Sequence, residues 1–122
     1  MRFFDFLKQP SIHHGLEEYD SLPHALLLDV RTPQEFAEGH IPCSENVPLN
    51  DIESICERRL GCDVPVFVYC HSGARSHQAA RALRELGFTS VRNIGGICSY
   101  MGKLEMGSEN TVCTRMRGAY CD

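Results

Sequence analysis

Two short apolar segments, each leading towards a helical pattern, constrain the fold of this chain more than any other feature. They read ALLLDV at 25–30 and VPVFVYC at 64–70. Continuous apolar runs of this length are typical of strands that are buried on both faces. Strands that alternate with helices predict an α/β fold with a mostly parallel central sheet and helices on both faces. In such sheets, ligands bind at the carboxyl ends of the strands.

A short helix is predicted directly after the first strand. Thr32 is the expected N-cap, Pro33 the first helical residue, and Glu35 the third residue after the cap, which together form a capping-box pattern. The next glycine, Gly39, is expected to end this helix.

Two further helices are predicted from apolar residues that recur with helical spacing. The segment NDIESICERRLG at 50–61 is expected to close at Gly61, and SHQAARALRELG at 76–87 at Gly87. The predicted buried faces are Ile52, Ile55, Cys56 and Leu60 in the first helix and Ala79, Ala80, Leu83 and Leu86 in the second.

The remaining segments complete the predicted domain organisation. A short strand, TSVRNI at 89–94, leads through Gly95-Gly96 to one or two helical turns at 97–104. Residues 1–24 are expected to form an N-terminal arm or short helices that pack on the domain. In this arm FFDFL at 3–7 is one helical turn or an extended segment, and a short helix is expected around 13–22. The domain itself is predicted at 25–104, followed by a C-terminal tail at 105–122.

Composition bounds the class of protein and its partners. A chain of 122 residues with 43% hydrophobic residues fits one domain with a single core. The formal net charge of -4 and the scattered basic residues argue against nucleic acid as a partner. No apolar run approaches the roughly 20 residues that span a bilayer, and the N-terminus lacks a signal-peptide pattern, so we expect no membrane partner.

Cysteine usage favours a reducing, cytoplasmic location. Seven cysteines with irregular spacing and no CxxC pair do not suggest a disulfide framework. The cysteines and the pair His13-His14 also lack metal-ligand spacing, so no metal site is expected.

Cys70 is the strongest candidate for a functional residue. It stands at the carboxyl end of the second predicted strand, and a short loop connects it to a helix. Backbone N–H groups of such a loop, the positive end of the helix dipole and Arg75 would stabilise a thiolate, which lowers a cysteine pKa from about 8.5 to between about 3.5 and 7.5. Gly73 permits a positive φ, and Ser72 and Ser76 can donate to bound oxygen atoms or cap the helix. The alternative is a buried cysteine with a purely structural role.

Three segments resemble, in the same order, the signatures of rhodanese-like sulfurtransferase domains. They are LLLDVRTPQEFAEGHIPCSENVPL, VFVYCHSGARSHQAARALRELGF and VRNIGGICSY, and the resemblance covers about residues 25–104. It implies a rhodanese-like single domain in which Cys70 is the sulfur-carrying nucleophile. The implied anion-binding loop consists of His71, Ser72, Gly73, Ala74, Arg75 and Ser76, and the implied supporting residues are Asp29, Arg31, Glu35 and His40. The residue types alone are equally compatible with a structural role for those four supporting residues.

The resemblance implies a specific reaction. A sulfane sulfur would pass from a small anionic donor such as thiosulfate to the Cys70 thiolate and then, from the persulfide, to cyanide, a small thiol or a protein. No cofactor is needed for this chemistry.

Two alternatives remain open. A non-catalytic rhodanese-like module could bind or sense through the same pocket, although the presence of Cys70 argues against it. Phosphatases and arsenate reductases of similar fold have one residue more between cysteine and arginine than the four found here at 71–74. The smaller loop suits a sulfur atom better than a phosphoryl group.

The chain departs from the family pattern at two positions. Cys43 stands where glycine is usual, and Tyr100 stands where tryptophan is common. Of the other cysteines, Cys56 is predicted in the core and Cys62 in a loop. Cys98 is expected to be core, with a role in resolving the persulfide as the alternative. Cys113 and Cys121 fall in the predicted tail.

Overall fold

The structure, a computed structural model, describes residues 12–108 and contains one four-stranded parallel sheet in this range. The strands lie in the order β2-β1-β3-β4 and comprise β1 (Leu26–Asp29), β2 (Glu45–Asn46), β3 (Val66–Cys70) and β4 (Val91–Gly96). The helices are α1 (Ile12–Ser21), α2 (Pro33–Glu38), a 3₁₀ helix (Leu49–Arg58), α3 (Ala74–Glu85) and a 3₁₀ turn (Ile97–Ser99). None of the helices within residues 12–108 is long and apolar enough to cross a membrane.

Side chains of β3 alternate between two hydrophobic clusters, one on each face of the sheet. Val66, Val68 and Cys70 point to the side that is covered by the 3₁₀ helix and α3. Phe67 and Tyr69 point to the side that is covered by α1. All five residues are buried, as the predicted two-faced strand requires. The predicted α/β architecture with helices on both faces is therefore confirmed.

The capping box of α2 is formed as predicted. The Thr32 hydroxyl accepts the Glu35 N–H at 3.1 Å, and the Glu35 carboxylate accepts the Thr32 N–H at 3.0 Å. At the other end, the Gly39 N–H donates to the carbonyl of Phe36 at 3.1 Å. These bonds fix the ends of α2, the short helix that follows β1 at the same edge of the sheet as Cys70.

Helix α1 and Glu105, on either side of the range 25–104, both contact residues of that range. Helix α1 confirms the helix expected around 13–22, and its Gly15 lies so close to Ile94 of β4 that a Cβ would overlap that side chain. Glu105, the first residue of the predicted tail, forms an antiparallel bridge with His40 through two bonds of 2.8 Å. The predicted FFDFL element and residues 109–122, including Cys113 and Cys121, lie outside the described residues.

The helix predicted at 50–61 differs in geometry, and its buried face differs as a result. It is a 3₁₀ helix with about three residues per turn, so Ile52 and Ile55 share one face and are buried. Cys56 falls off that face and is exposed, which corrects its predicted core position. The helix ends at Arg58, and Arg59 takes the left-handed conformation (φ 56) that was expected of Gly61.

Two smaller predictions are corrected near the ends of elements. Leu86 is the C-cap of α3 rather than a residue of its buried face, is 36% exposed, and precedes Gly87 with φ 111. Cys98 is exposed rather than core because it belongs to the surface turn after β4. Cys43 has φ 75, a left-handed conformation that favours glycine, which explains why its position is usually glycine in the resembled family. Cys62 lies in an exposed turn, as predicted.

Candidate functional site

Cys70 occupies the last position of β3, and its side chain is almost inaccessible. The residue is 1% exposed and pairs with Gly96 of β4. Residues 71–73 form the whole connection to α3, which begins at Ala74. The Cys70 thiol therefore lies at the carboxyl edge of the sheet and next to the positive end of a 12-residue helix.

Hydrogen bonds converge on the sulfur of Cys70. The Gly73 N–H donates to Sγ at 3.0 Å, and the Ser76 hydroxyl lies 3.5 Å from it. Burial alone raises the pKa of this thiol, but the Ser76 hydroxyl and the backbone N–H groups of Ser76, Gly73 and Ser72 outweigh burial and lower the pKa below its ordinary value. The site thus favours a thiolate, which is the nucleophilic form of cysteine.

Two glycines permit the shape of the loop, Gly73 by its positive φ and Gly96 by its lack of a Cβ. Gly73 has φ 109, which lets the chain turn from β3 directly into α3. Gly96 of β4 lies directly beneath the loop, where a Cβ would overlap the carbonyl oxygen of His71 and the Cα of Ser72. The Cys98 N–H donates to that same His71 oxygen at 3.1 Å. The loop is therefore held tightly against the end of β4.

Asn93 of β4 is a site residue that the sequence analysis did not identify. Its Oδ1 lies 2.7 Å from the Ser76 hydroxyl and accepts the Gly95 N–H at 3.0 Å, while its Nδ2 donates to the Gly73 carbonyl at 3.2 Å. The available signal is an amide side chain near the carboxyl end of the strand predicted at 89–94.

Arg75 points towards α2 rather than donating to the Cys70 sulfur. Its Nη1 and Nη2 donate to the two carboxylate oxygens of Glu35 at 2.7 and 3.1 Å. The hydrogen bond from Arg75 is the largest cause that lowers the pKa of Glu35 from its ordinary 4.5 to about 2. The pKa of Arg75 is raised, first by this bond and also by the nearby charge of Cys70. Arg75 thus contributes charge to the site, while the sulfur takes its direct donors from Gly73 and Ser76.

Asp29 and Arg31 form a buried ion pair beside the site. They are 0% and 5% exposed, and the guanidinium of Arg31 contacts both carboxylate oxygens at 2.6–3.0 Å. Arg31 Nη2 also donates to the Gly39 carbonyl at 2.7 Å. The pair therefore connects the end of β1 to the end of α2 and positions the segment that carries Glu35.

His40 is fully buried behind this segment. Its Nδ1 is 2.8 Å from the Phe36 carbonyl, and its ring stacks on the Phe36 ring with centroids 3.7 Å apart. Its Nε2 has no hydrogen-bond partner among the described residues. Of the four predicted supporting residues, Glu35 alone pairs with a residue of the loop, and Asp29, Arg31 and His40 hold the adjoining backbone.

A cavity of about 350 Å³ opens beside the loop. Its walls combine apolar side chains with the guanidinium of Arg75, and the loop residues His71, Ser72 and Ala74 are exposed nearby. The cavity is lined by Val30, Arg31, Thr32, Pro48, Leu49, Asn50 and Arg75. Within residues 12–108, no group of three or more His, Cys, Asp or Glu residues could hold a metal ion. The arrangement supports nucleophilic chemistry by a thiolate on a small anionic compound.

Comparisons with known proteins point to one family. A family model named "Rhodanese-like domain" matches residues 13–102. The thiosulfate sulfurtransferase PspE of Escherichia coli is 36% identical over 75 residues, a match that covers 57% of this chain and 68% of that protein. The uncharacterized protein YqhL of Bacillus subtilis is 39% identical over 82 residues and is matched over 66% of this chain. The chain spans 64% of the length of YqhL, which is less than two thirds.

A solved structure shares both the fold and part of the sequence. The rhodanese with anions from Escherichia coli superposes with a TM-score of 0.63 at 32% sequence identity. The match covers 68% of this chain and 99% of that chain.

Proposed function

Because this chain belongs to the family of rhodanese-like domains, we propose that it is a sulfurtransferase that carries a sulfane sulfur as a persulfide on Cys70. The donor is a small sulfur-containing anion such as thiosulfate, and the acceptor is a thiol or cyanide. One observation carries the proposal. Cys70 is the last residue of β3, and its Sγ is hydrogen-bonded by the N–H of Gly73 and the hydroxyl of Ser76. The name of the PspE relative supports thiosulfate as the donor.

In the first step, the Cys70 thiolate attacks the outer sulfur of thiosulfate. A sulfur–sulfur bond forms between Cys70 and that atom, and the bond between the two sulfur atoms of thiosulfate breaks. Sulfite leaves with the electron pair, and the negative charge of the thiolate passes to the terminal persulfide sulfur. Backbone N–H groups at the start of α3 and the charge of Arg75 stabilise the anions in this step.

In the second step, an acceptor nucleophile removes the terminal sulfur. Cyanide attacks that atom, thiocyanate leaves, and the electron pair of the broken sulfur–sulfur bond returns to Cys70 as a thiolate. The Gly73 N–H and the Ser76 hydroxyl, which donate to Sγ in the resting protein, stabilise this returning charge. The cycle needs no cofactor because the thiolate is regenerated without a change in total oxidation state.

The intact mass of the protein tests this proposal. We expect the native chain to gain the mass of one sulfur atom after brief anaerobic treatment with thiosulfate, and to lose it to cyanide as thiocyanate. Cys70→Ser is expected to gain nothing. Cys62→Ser, which removes an exposed free thiol, is the matched control and is expected to load like the native chain.

Two results would contradict the proposal. Loading that persists in Cys70→Ser would move the carrier to another cysteine. Loading that is absent from the native chain would favour a binding module, a phosphatase or an arsenate reductase. An aryl phosphate assay would detect the phosphatase activity.

A further inference from the structure

The hydroxyl of Ser76 has more acceptors within reach than it has protons. Its oxygen lies 2.7 Å from Asn93 Oδ1, 3.1 Å from the Gly73 carbonyl and 3.5 Å from Cys70 Sγ. A hydroxyl donates one proton and accepts through its lone pairs. The neighbour that fixes Ser76 therefore influences how the hydroxyl is presented to the sulfur. Ser76 itself is 0% exposed, so water does not compete for this proton.

The amide of Asn93 can have only one orientation in this network. The Gly95 N–H donates to one side-chain atom at 3.0 Å, which makes that atom the oxygen. The other atom faces the Gly73 carbonyl at 3.2 Å and must be the NH₂ group. A flipped amide would place donor against donor and acceptor against acceptor. Asn93 therefore presents an acceptor to Ser76 and a donor to Gly73.

We propose that Asn93 is a positioning residue for Cys70, acting through Gly73 and Ser76, two of the residues that hydrogen-bond its sulfur. By binding the Gly73 carbonyl, it fixes the peptide that follows the Gly73 N–H in the loop. By binding the Ser76 hydroxyl, it keeps that oxygen next to Sγ. This inference rests on the proposed function, in which Cys70 is the nucleophile.

The main effect of Asn93 on the sulfur runs through Gly73. The Gly73 N–H donates to Sγ at 3.0 Å, whereas the Ser76 oxygen lies 3.5 Å from Sγ and shares its one proton with Asn93 Oδ1 at 2.7 Å. Loss of the Asn93 amide frees the loop peptide next to the Gly73 N–H, so the closest donor to the sulfur is no longer held in place.

The charged groups around the sulfur are held separately from Asn93. Arg75 on α3 is bound by Glu35 of α2, and Asp29 at the end of β1 is bound by Arg31. The hydrogen bonds of Asn93 go to Gly73, Ser76 and Gly95. A change at Asn93 therefore perturbs the donors to the sulfur while both ion pairs keep their partners.

The pH dependence of Cys70 alkylation by iodoacetamide tests the proposal, with the modified cysteine identified by peptide mass. We expect Asn93→Ala to raise the pKa of Cys70 by about one pH unit, which lowers the alkylation rate about tenfold at a fixed pH below the pKa. Asn93→Leu keeps the approximate size of the side chain and removes both polar atoms without adding charge. It is expected to raise the pKa by a similar amount, and it decides the matter if the alanine variant does not fold.

Asn46→Ala is the matched control. Asn46 lies on β2, which is the edge strand opposite to β4. Its Nδ2 donates to the carbonyls of Asp29 and Arg31 at 3.0 and 2.9 Å. Its loss is expected to reduce stability and leave the alkylation profile of Cys70 unchanged. A merely structural role for Asn93 predicts the same profile for Asn93→Ala and Asn46→Ala, and that result would overturn the proposal.

A double variant tests whether Asn93 acts through Ser76. Ser76→Ala removes the hydroxyl, so the shift from Asn93→Ala is expected to be smaller in that background than in the native chain. Equal shifts in both backgrounds would overturn the part of the proposal that concerns Ser76. These readouts do not require sulfur transfer. A native chain that fails to load sulfur would refute the proposed function, while the alkylation profiles would still judge Asn93.

Discussion

Replacing Glu35 by glutamine should remove a stabilising contribution that depends on pH in a defined direction. Glu35 accepts two hydrogen bonds from Arg75, which link α2 to the first turn of α3. Glutamine at this position retains the capping box with Thr32, since glutamine also serves as the third residue of that motif. Glu35→Gln therefore removes the charge and one of the two hydrogen bonds from Arg75, while the helix cap is kept.

The lowered pKa of Glu35 sets an upper limit on the size of this effect. A fall from 4.5 to about 2 corresponds to about 3.4 kcal/mol of folding free energy. The Arg75 and Glu35 side chains are 36% and 33% exposed, however, so solvent screens the pair. Exposed pairs contribute at most about 1 kcal/mol. We expect Glu35→Gln to lower the free energy of unfolding by about 1 kcal/mol at neutral pH.

The sign of the pH dependence follows from the lowered pKa. The contribution is complete above 4.5, the pKa of the unfolded chain, and is lost as the pH falls through about 2, the pKa of the folded chain. Urea unfolding of both proteins from about pH 7 to about pH 3 measures it, and the difference should shrink to less than half over this range. Glu53→Gln removes a charge from an exposed residue and is the control. A difference that stays constant with pH, or one that Glu53→Gln reproduces, would refute the reasoning.

Two further substitutions probe the support of the site. Gly96→Ala forces a Cβ onto the backbone of His71 and Ser72; we expect a loss of about 1–3 kcal/mol in urea unfolding and slower sulfur loading, and native loading kinetics would contradict this. Arg31→Met leaves Asp29 buried without its partner and should cost about 3–5 kcal/mol. The double variant with Asp29→Leu should cost less than Arg31→Met alone, and an additive loss would contradict the buried-pair account.

Much of the fold could be predicted because its signals are local. β3 is a continuous apolar run, and the start of α2 is fixed by residues within one turn, so both were recognisable without tertiary information. The loop after Cys70 is also recognisable without tertiary information, because a strand, a glycine and a helical pattern follow one another within a few residues. These parts of the prediction agree with the structure.

The contacts that complete the site depend on tertiary packing and could not be read from local patterns. Asn93 reaches Ser76 only because β4 lies beside β3 with a register shift between Val68 and Tyr69, and nothing in either strand's sequence specifies that shift. Arg75 was expected at the sulfur, but α2 brings Glu35 to it from 40 residues away.

The wrong prediction that Cys56 lies in the core has a different cause. The period of an α-helix places Cys56 of the segment 50–61 in the core, whereas a 3₁₀ helix turns every three residues and rotates Cys56 away from the core. Apolar spacing over so few residues does not distinguish the two helices.

The stoichiometry of sulfite release in the absence of an acceptor tests the central claim most directly. Thiosulfate is mixed with the native chain, sulfite is measured, and cyanide is added afterwards. A persulfide on Cys70 predicts one sulfite per chain before cyanide, an equal amount of thiocyanate after it, and neither from Cys70→Ser. Sulfite that appears only once cyanide is present, or that Cys70→Ser also releases, would contradict the account.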